Sequence, residues 1–237
     1  MALPKLGYPT YELELPSTGK TIKYRPFLVK EEKVLLLALD SKDEKQVINA
    51  VKDLIKNCVT TRIKVDTLPS FDLEYLFLKI RGASIGENII LTVTCLDDNE
   101  TQVEANINID EVEVFKPEGH DKKIMFDDKT GIVMKYPSMK EFVEREFLQK
   151  EMKTEEVYDY IADSIDQIFD DEEVYDSSTT TKKEFRSFVD SLTTKQFEKI
   201  QKFYETSPKL SHTFKVVNPK TGKESSYTIE GLQSFFA

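Results

Sequence analysis

The hydrophobic positions of this chain switch between two periods. Tyr11, Leu13 and Leu15 alternate with Glu12 and Glu14, and Ile22 and Tyr24 alternate with Lys23 and Arg25, on either side of Pro16-Ser-Thr-Gly19. A period of two on both flanks of a turn sequence predicts a β-hairpin. Ile89, Leu91, Val93 and Cys95, the turn Asp97-Asp-Asn99, then Val103, Ala105, Ile107 and Ile109 predict a second. A third spans 213–217 and 225–229 around Asn218-Pro-Lys-Thr-Gly222. Two short strands are expected at 124–126 and 132–134, about Asp127-Asp-Lys-Thr-Gly131.

Elsewhere the period is helical. Glu31 and Glu32 stand in the first turn of a segment 31–39, where carboxylates favour a helix start. Val34 to Leu39 is apolar on nearly all sides, which predicts a central, buried helix. Ser41 and Glu44 form a capping-box pattern before a helix whose face is Val47, Val51, Leu54, Ile55 and Cys58. Pro69-Ser70 opens a third helix carrying Leu73, Leu76, Phe77 and Ile80. Three further capping boxes, Ser138/Glu141, Thr181/Glu184 and Thr193/Gln196, each precede apolar residues at helical spacing: Phe142, Val143 and Phe147; Phe185, Phe188, Val189 and Leu192; Phe197, Ile200 and Tyr204. Val157, Tyr158, Ile161, Ile165 and Ile168 make another helical stripe, and 177–181 is a polar loop.

The pattern is that of an α+β protein, helices packed with several antiparallel hairpins. Lys116 to Asp121, with Pro117 and Gly119, is the best linker. It divides the chain into an N-terminal α+β part, 1–116, and a helix-rich part, 117–237, that ends in a hairpin. Ile109-Asp-Glu-Val112 and Ile229-Glu-Gly-Leu232 each close a helix-plus-hairpin segment, about 71–114 and 197–236. A duplicated unit explains this, and so does coincidence in a chain rich in hairpins.

Charge narrows the function classes. The chain has 237 residues and a formal charge of −10, which argues against nucleic-acid binding as the main role, since that rests on clustered Lys and Arg. No apolar run approaches the ~20 residues that span a bilayer, and the N-terminus lacks a signal-peptide pattern, so a cytosolic protein is expected. Between Lys153 and Lys182 there is no basic residue, while Glu155, Glu156, Asp159, Asp163, Asp166 and 170–173 are acidic. That stretch reads as a solvated face or as a docking surface for a basic partner. Cys58 and Cys95 form no C-x-x-C pair, so buried free thiols are expected, with no zinc or redox site.

Two motifs imitate catalytic chemistry. Gly19-Lys20-Thr21 looks like the end of a phosphate-binding loop, but the required earlier glycine is Glu14, and strands flank it on both sides. Gly82-Ala-Ser84-Ile-Gly86 matches a nucleophile elbow, but a helix precedes Ser84 and a strand follows, the reverse of the elbow's order. Gly82 is better read as a helix C-terminal glycine. His120 reads as a linker residue and His212 as a strand-edge residue; neither has metal-ligand spacing. No catalytic, cofactor or metal residue is expected. The residues that stand out for partner binding are Arg25 and Phe27 at a strand-to-helix junction, and Phe235 and Phe236 near the end of the sequence, which either pack on their own domain or anchor to a partner.

Several strings carry a resemblance. These are Leu3-Pro-Lys-Leu6, Tyr8-Pro-Thr-Tyr-Glu-Leu-Glu-Leu-Pro-Ser-Thr-Gly-Lys20, Tyr24-Arg-Pro-Phe-Leu-Val-Lys-Glu-Glu-Lys33, Ser70-Phe-Asp-Leu-Glu-Tyr-Leu-Phe-Leu-Lys-Ile-Arg81 and Glu230-Gly-Leu-Gln-Ser-Phe-Phe236. Together they resemble the baseplate hub assembly proteins of T-even-type contractile-tailed bacteriophages, in order and over essentially the full length. The resemblance implies a non-enzymatic protein that helps build the hub in the host cytoplasm through contacts with other tail proteins. Some relatives place cysteine pairs of metal-binding type in the hairpin turns; here the turns after Cys95 and at 218–222 lack a second cysteine. The alternatives are a permanent structural subunit of the hub, a host regulatory or adaptor domain unrelated to phage, and an enzyme using one of the two imitated motifs.

Overall fold

A computed structural model describes residues 7–138, 154–231 and 234. The chain forms two compact units, Met1–Phe115 with Lys209–Ala237, and Lys116–Pro208. It is an α+β protein of helices and small antiparallel sheets.

The first unit begins with the hairpin of β1 (Tyr11–Glu14) and β2 (Thr21–Tyr24), in which Leu13 faces Ile22. Helices α1 (Val29–Ser41), α2 (Glu44–Cys58) and α3 (Ser70–Ile85) follow. The hairpin is stitched to the end of α2: Arg25 N–H donates to Cys58 O at 3.0 Å, and Thr60 N–H to Lys23 O at 2.8 Å. Next come β3 (Asn88–Thr94) paired with β4 (Gln102–Asn108), then β5 (Glu113–Phe115). The last hairpin, β10 (Lys209–Val217) with β11 (Glu224–Glu230), returns to this unit because β10 pairs antiparallel with β5, Lys209 opposite Phe115. The apolar seam of α3 and both hairpins comprises Leu78, Ile89, Leu91, Ile107, Ile109, Leu210 and Val216. Burying each such side chain contributes roughly 1.5–3 kcal/mol.

The second unit holds a four-stranded antiparallel sheet in the order β6 (Lys123–Met125), β7 (Gly131–Met134), β8 (Ile165–Phe169), β9 (Val174–Asp176). Its helices are α4 (Thr154–Asp163), α5 (Lys182–Asp190) and α6 (Thr194–Glu205). Ile132, Met134, Ile161, Phe185, Val189, Ile200 and Phe203 form its core. Thr181 and Thr193 cap α5 and α6 as their boxes predict, each returned by Glu184 or Gln196. Glu141, Phe142, Val143 and Phe147 lie outside the described residues.

Several expectations are corrected. The closing hairpin stands with the first unit, while the second unit runs Lys116–Pro208; the β5–β10 pairing that brings the hairpin there leaves no mark in local periodicity. The second segment of the supposed duplication divides likewise, α6 into the second core and β10–β11 into the first, whereas the first segment lies wholly in the first unit. Ile165 and Ile168 are on strand β8, not on the helix, because Ser164 N–H closes α4 onto Tyr160 O and Ile161 O and the chain then pairs with β7. Asp43, not Ser41, caps α2, accepting from Lys45 and Gln46 N–H. Gly82 lies inside α3, where a Cβ would sit 3.4 Å from Ile109; the helix ends at Gly86, whose φ of +119° no L side chain readily adopts. Finally, α1 is not the central helix. That place belongs to α3, with Leu73, Leu76, Phe77, Leu78 and Ile80 buried all round it, while α1 buries only Glu31, Leu35 and Ala38.

Candidate partner-binding surface

Arg25 and Phe27 are used internally. The Arg25 guanidinium lies buried against Glu31, with Nη2 3.0 Å from Oε1, and also donates to Pro26 O at 2.8 Å. Glu31 Oε2 accepts the Leu28 N–H at 2.6 Å, so one carboxylate caps α1 and holds the hairpin exit. Burial alone would raise the Glu31 pKa; the Arg25 and Leu28 hydrogen bonds outweigh it and hold the carboxyl below its ordinary value. Phe27 is buried, and its N–H donates to Ser84 Oγ at 2.9 Å. Neither side chain offers surface to a partner. Phe235 and Phe236 lie outside the described residues.

The two imitated motifs are likewise structural links. In the β1–β2 turn, Ser17 gives its N–H and hydroxyl to the buried Asp72 of α3, and Thr18 and Gly19 N–H donate to Leu15 O. The donors that would cradle a phosphate are thus taken, one pair of them by a carboxylate. Ser84 Oγ donates to Ile80 O at 2.6 Å while accepting from Phe27. His120 is not a linker residue in environment: it is buried, Nδ1 at 2.9 Å from Thr206 Oγ1 and Nε2 at 2.9 Å from Tyr136 OH, and stacked on Phe203. Burial, with Lys116 nearby, lowers its pKa. His212 sits on β10 just past the last residue paired with β5. Among the described residues no group of three or more His, Cys, Asp or Glu is placed to hold a metal ion.

The turns after Cys95 and at 218–222, far apart in sequence, meet in the first unit. Asn218 Nδ2 donates to Asp97 Oδ1 at 2.9 Å and to Asp98 Oδ2 at 3.0 Å, and Thr221 donates to Asp97. Asp98 also accepts from Thr101, and these bonds hold both carboxyls below their ordinary range. A hydrogen-bonded clasp thus joins two hairpin tips. The acidic stretch is partly self-neutralised: Arg186 reaches Glu155 at 2.6 Å, Asp159 at 2.9 Å and Asp190, and Lys182 reaches Asp163 at 2.7 Å.

One surface remains conspicuous. On α1, Val29 is 80% exposed, Val34 53%, Leu36 54% and Leu37 59%. Helical spacing places Val29, Lys33, Leu36 and Asp40 along one line, with Leu37 at its flank. A groove of about 320 Å³ runs beside it, lined by Lys30, Glu31 and Val34 of α1 and by Ala50, Asp53, Leu54 and Asn57 of α2. Four large aliphatic side chains on one exposed helix exceed what a solvated face requires, and such patches mark contact sites. The sequence does signal this helix, since its apolar residues do not segregate to one face; hydropathy taken alone makes of that signal a buried helix.

A family model described as "T4 bacteriophage base plate protein" matches residues 8–237. No curated protein and no solved structure matches the chain.

Proposed function

The chain belongs to the family of T4 bacteriophage base plate proteins, and we propose that it acts there without catalysis, by docking other tail proteins while the central hub is built in the host cytoplasm. The observation that carries this reading is the apolar face of α1, open at Val29, Val34, Leu36 and Leu37. A baseplate protein must present surface to neighbours, and aliphatic anchors on a rigid helix are a means of doing so. The internal use of Ser84, and of the turn at Gly19-Lys20-Thr21, supports a role without an active site.

The test is genetic. A phage carrying Leu36→Asp with Leu37→Asp is expected to express a folded protein and to fail in baseplate assembly, and a phage lacking the gene is expected to fail in the same way. Normal contractile tails from either phage would end the proposal. A second reading, a permanent structural subunit, is favoured by the family's description as a base plate protein. Mass spectrometry of purified virions separates the two, because only a structural subunit persists in the particle.

A further inference from the structure

The charges on the α1 face are arranged so that a second copy of the same helix satisfies them. Lys33 lies one turn before the Leu36–Leu37 pair, and Asp40 one turn after it. Both charged residues are exposed, and among the described residues neither has an ion-pair partner. A two-fold interface is isologous: where residue i meets j, j meets i. Turning a second α1 antiparallel, with the two-fold axis between Leu36 and Leu37, sets Leu36 opposite Leu37 and Lys33 opposite Asp40, each twice. Translated copies in parallel would instead place Lys33 beside Lys33 and Asp40 beside Asp40. The stripe is therefore complementary to its own reverse and repulsive to its own parallel.

We propose that α1 is the self-association face of this protein, occupied by α1 of a second copy in an antiparallel pair. The proposal rests on the reading of α1 as a contact surface and names the partner. A helix of 13 residues is about 20 Å long, and a pair of such helices buries less than the ~800 Å² per partner of a standard stable interface. The association is accordingly weak and reversible, so a dimer can open to hand the same face to another tail protein.

Sedimentation velocity over a concentration series of the full chain tests this. The wild type is expected to shift from monomer toward dimer by roughly 100 μM, the range of small interfaces. Lys33→Asp sets a carboxylate at position 33 against Asp40 at two equivalent contacts and should weaken dimerisation about tenfold or more. The double variant Lys33→Asp with Asp40→Lys exchanges the signs and should restore it to within a few-fold. These side chains are exposed, so circular dichroism should show unchanged folding. A wild type monomeric throughout, a Lys33→Asp variant that associates normally, or a double variant no better than the single would each overturn the proposal. If the wild type is monomeric while the leucine variants still block baseplate assembly, the second copy is excluded and the contact surface stands. If those variants also assemble normally, both readings fall.

Discussion

Ser17 donates both its backbone N–H and its hydroxyl to Asp72, a buried carboxylate 55 positions further along the chain. The tip of the first hairpin is thereby fastened to the first turn of the central helix. Burial pushes the Asp72 pKa above its ordinary 3.8, and the Ser17 bonds pull it back part of the way. Ser17→Ala removes the hydroxyl donor from this buried acceptor and keeps the backbone N–H bond to its other oxygen, and should cost about 1–3 kcal/mol. The sign of its pH dependence follows from the raised pKa. The penalty of the buried charge is absent below the unfolded pKa and grows as pH rises through the folded one. Urea unfolding should thus show a larger loss for Ser17→Ala at pH 7 than in acid.

Lys20, beside the same turn, should be dispensable for nucleotides. Wild type and Lys20→Ala are expected to be equally inert in an ATP-binding assay; saturable binding lost in the variant would revive the phosphate-loop reading.

Arg25 and Glu31 form a buried pair that joins the hairpin exit to α1. Arg25→Ala leaves the buried Glu31 charge with the Leu28 N–H at 2.6 Å and only the exposed Lys30 ammonium at 3.6 Å, and should destabilise by up to about 3–5 kcal/mol. Arg25→Lys should recover little of this, because an ammonium cannot reproduce the guanidinium fork. The Glu31 pKa is depressed, so the pair's contribution is full above the ordinary 4.5 and is lost as pH falls through the folded value. A guanidinium unfolding series from neutral pH into acid should show wild type and Arg25→Ala converging as the carboxyl protonates.

How much of this is legible in the sequence differs by element. The three hairpins and the Thr181 and Thr193 caps are legible, because period two, turn residues and capping boxes are local signals. The β5–β10 pairing, the Asn218–Asp97 clasp and the Ser17–Asp72 bond are not, because each joins residues remote in sequence. The helix α1 misleads in a more informative way. An all-apolar stretch is ambiguous between a helix buried in its own fold and one kept open for another surface, and hydropathy alone does not distinguish them. Arg25 and Phe27 stand out in the sequence at a junction, and the junction itself is what they hold.

Both cysteines are buried. Burial pushes the Cys58 thiol to about 11, and burial with Asp97 and Asp98 raises that of Cys95. In the folded protein both should react slowly with a disulfide reagent in mildly alkaline buffer, and both rapidly after denaturation. Fast reaction of either thiol in the native protein would contradict its burial.

The second unit enters and leaves the first at a single cross-strand pair, Phe115 opposite Lys209. Replacing 116–208 by a two-residue Asn-Gly turn should therefore yield a first unit that unfolds cooperatively, read by circular dichroism and by the fluorescence of its tyrosines. An unfolded or aggregated product would show that 116–208 is needed for that fold.

The insertion also sets a timetable on the ribosome. When β5 has been made, its partner strand does not yet exist, and all of 116–208 must be translated first. At roughly 5–20 residues per second that is a delay on the order of 5–20 s, during which Val114, Leu78 and Ile109 lack the cover that Leu210 and Val216 later bring. The nascent chain therefore passes through an interval in which the first unit is incomplete although all of 116–208 has been made. The burden of the insertion falls on synthesis, where the equilibrium stability of the finished molecule does not reveal it.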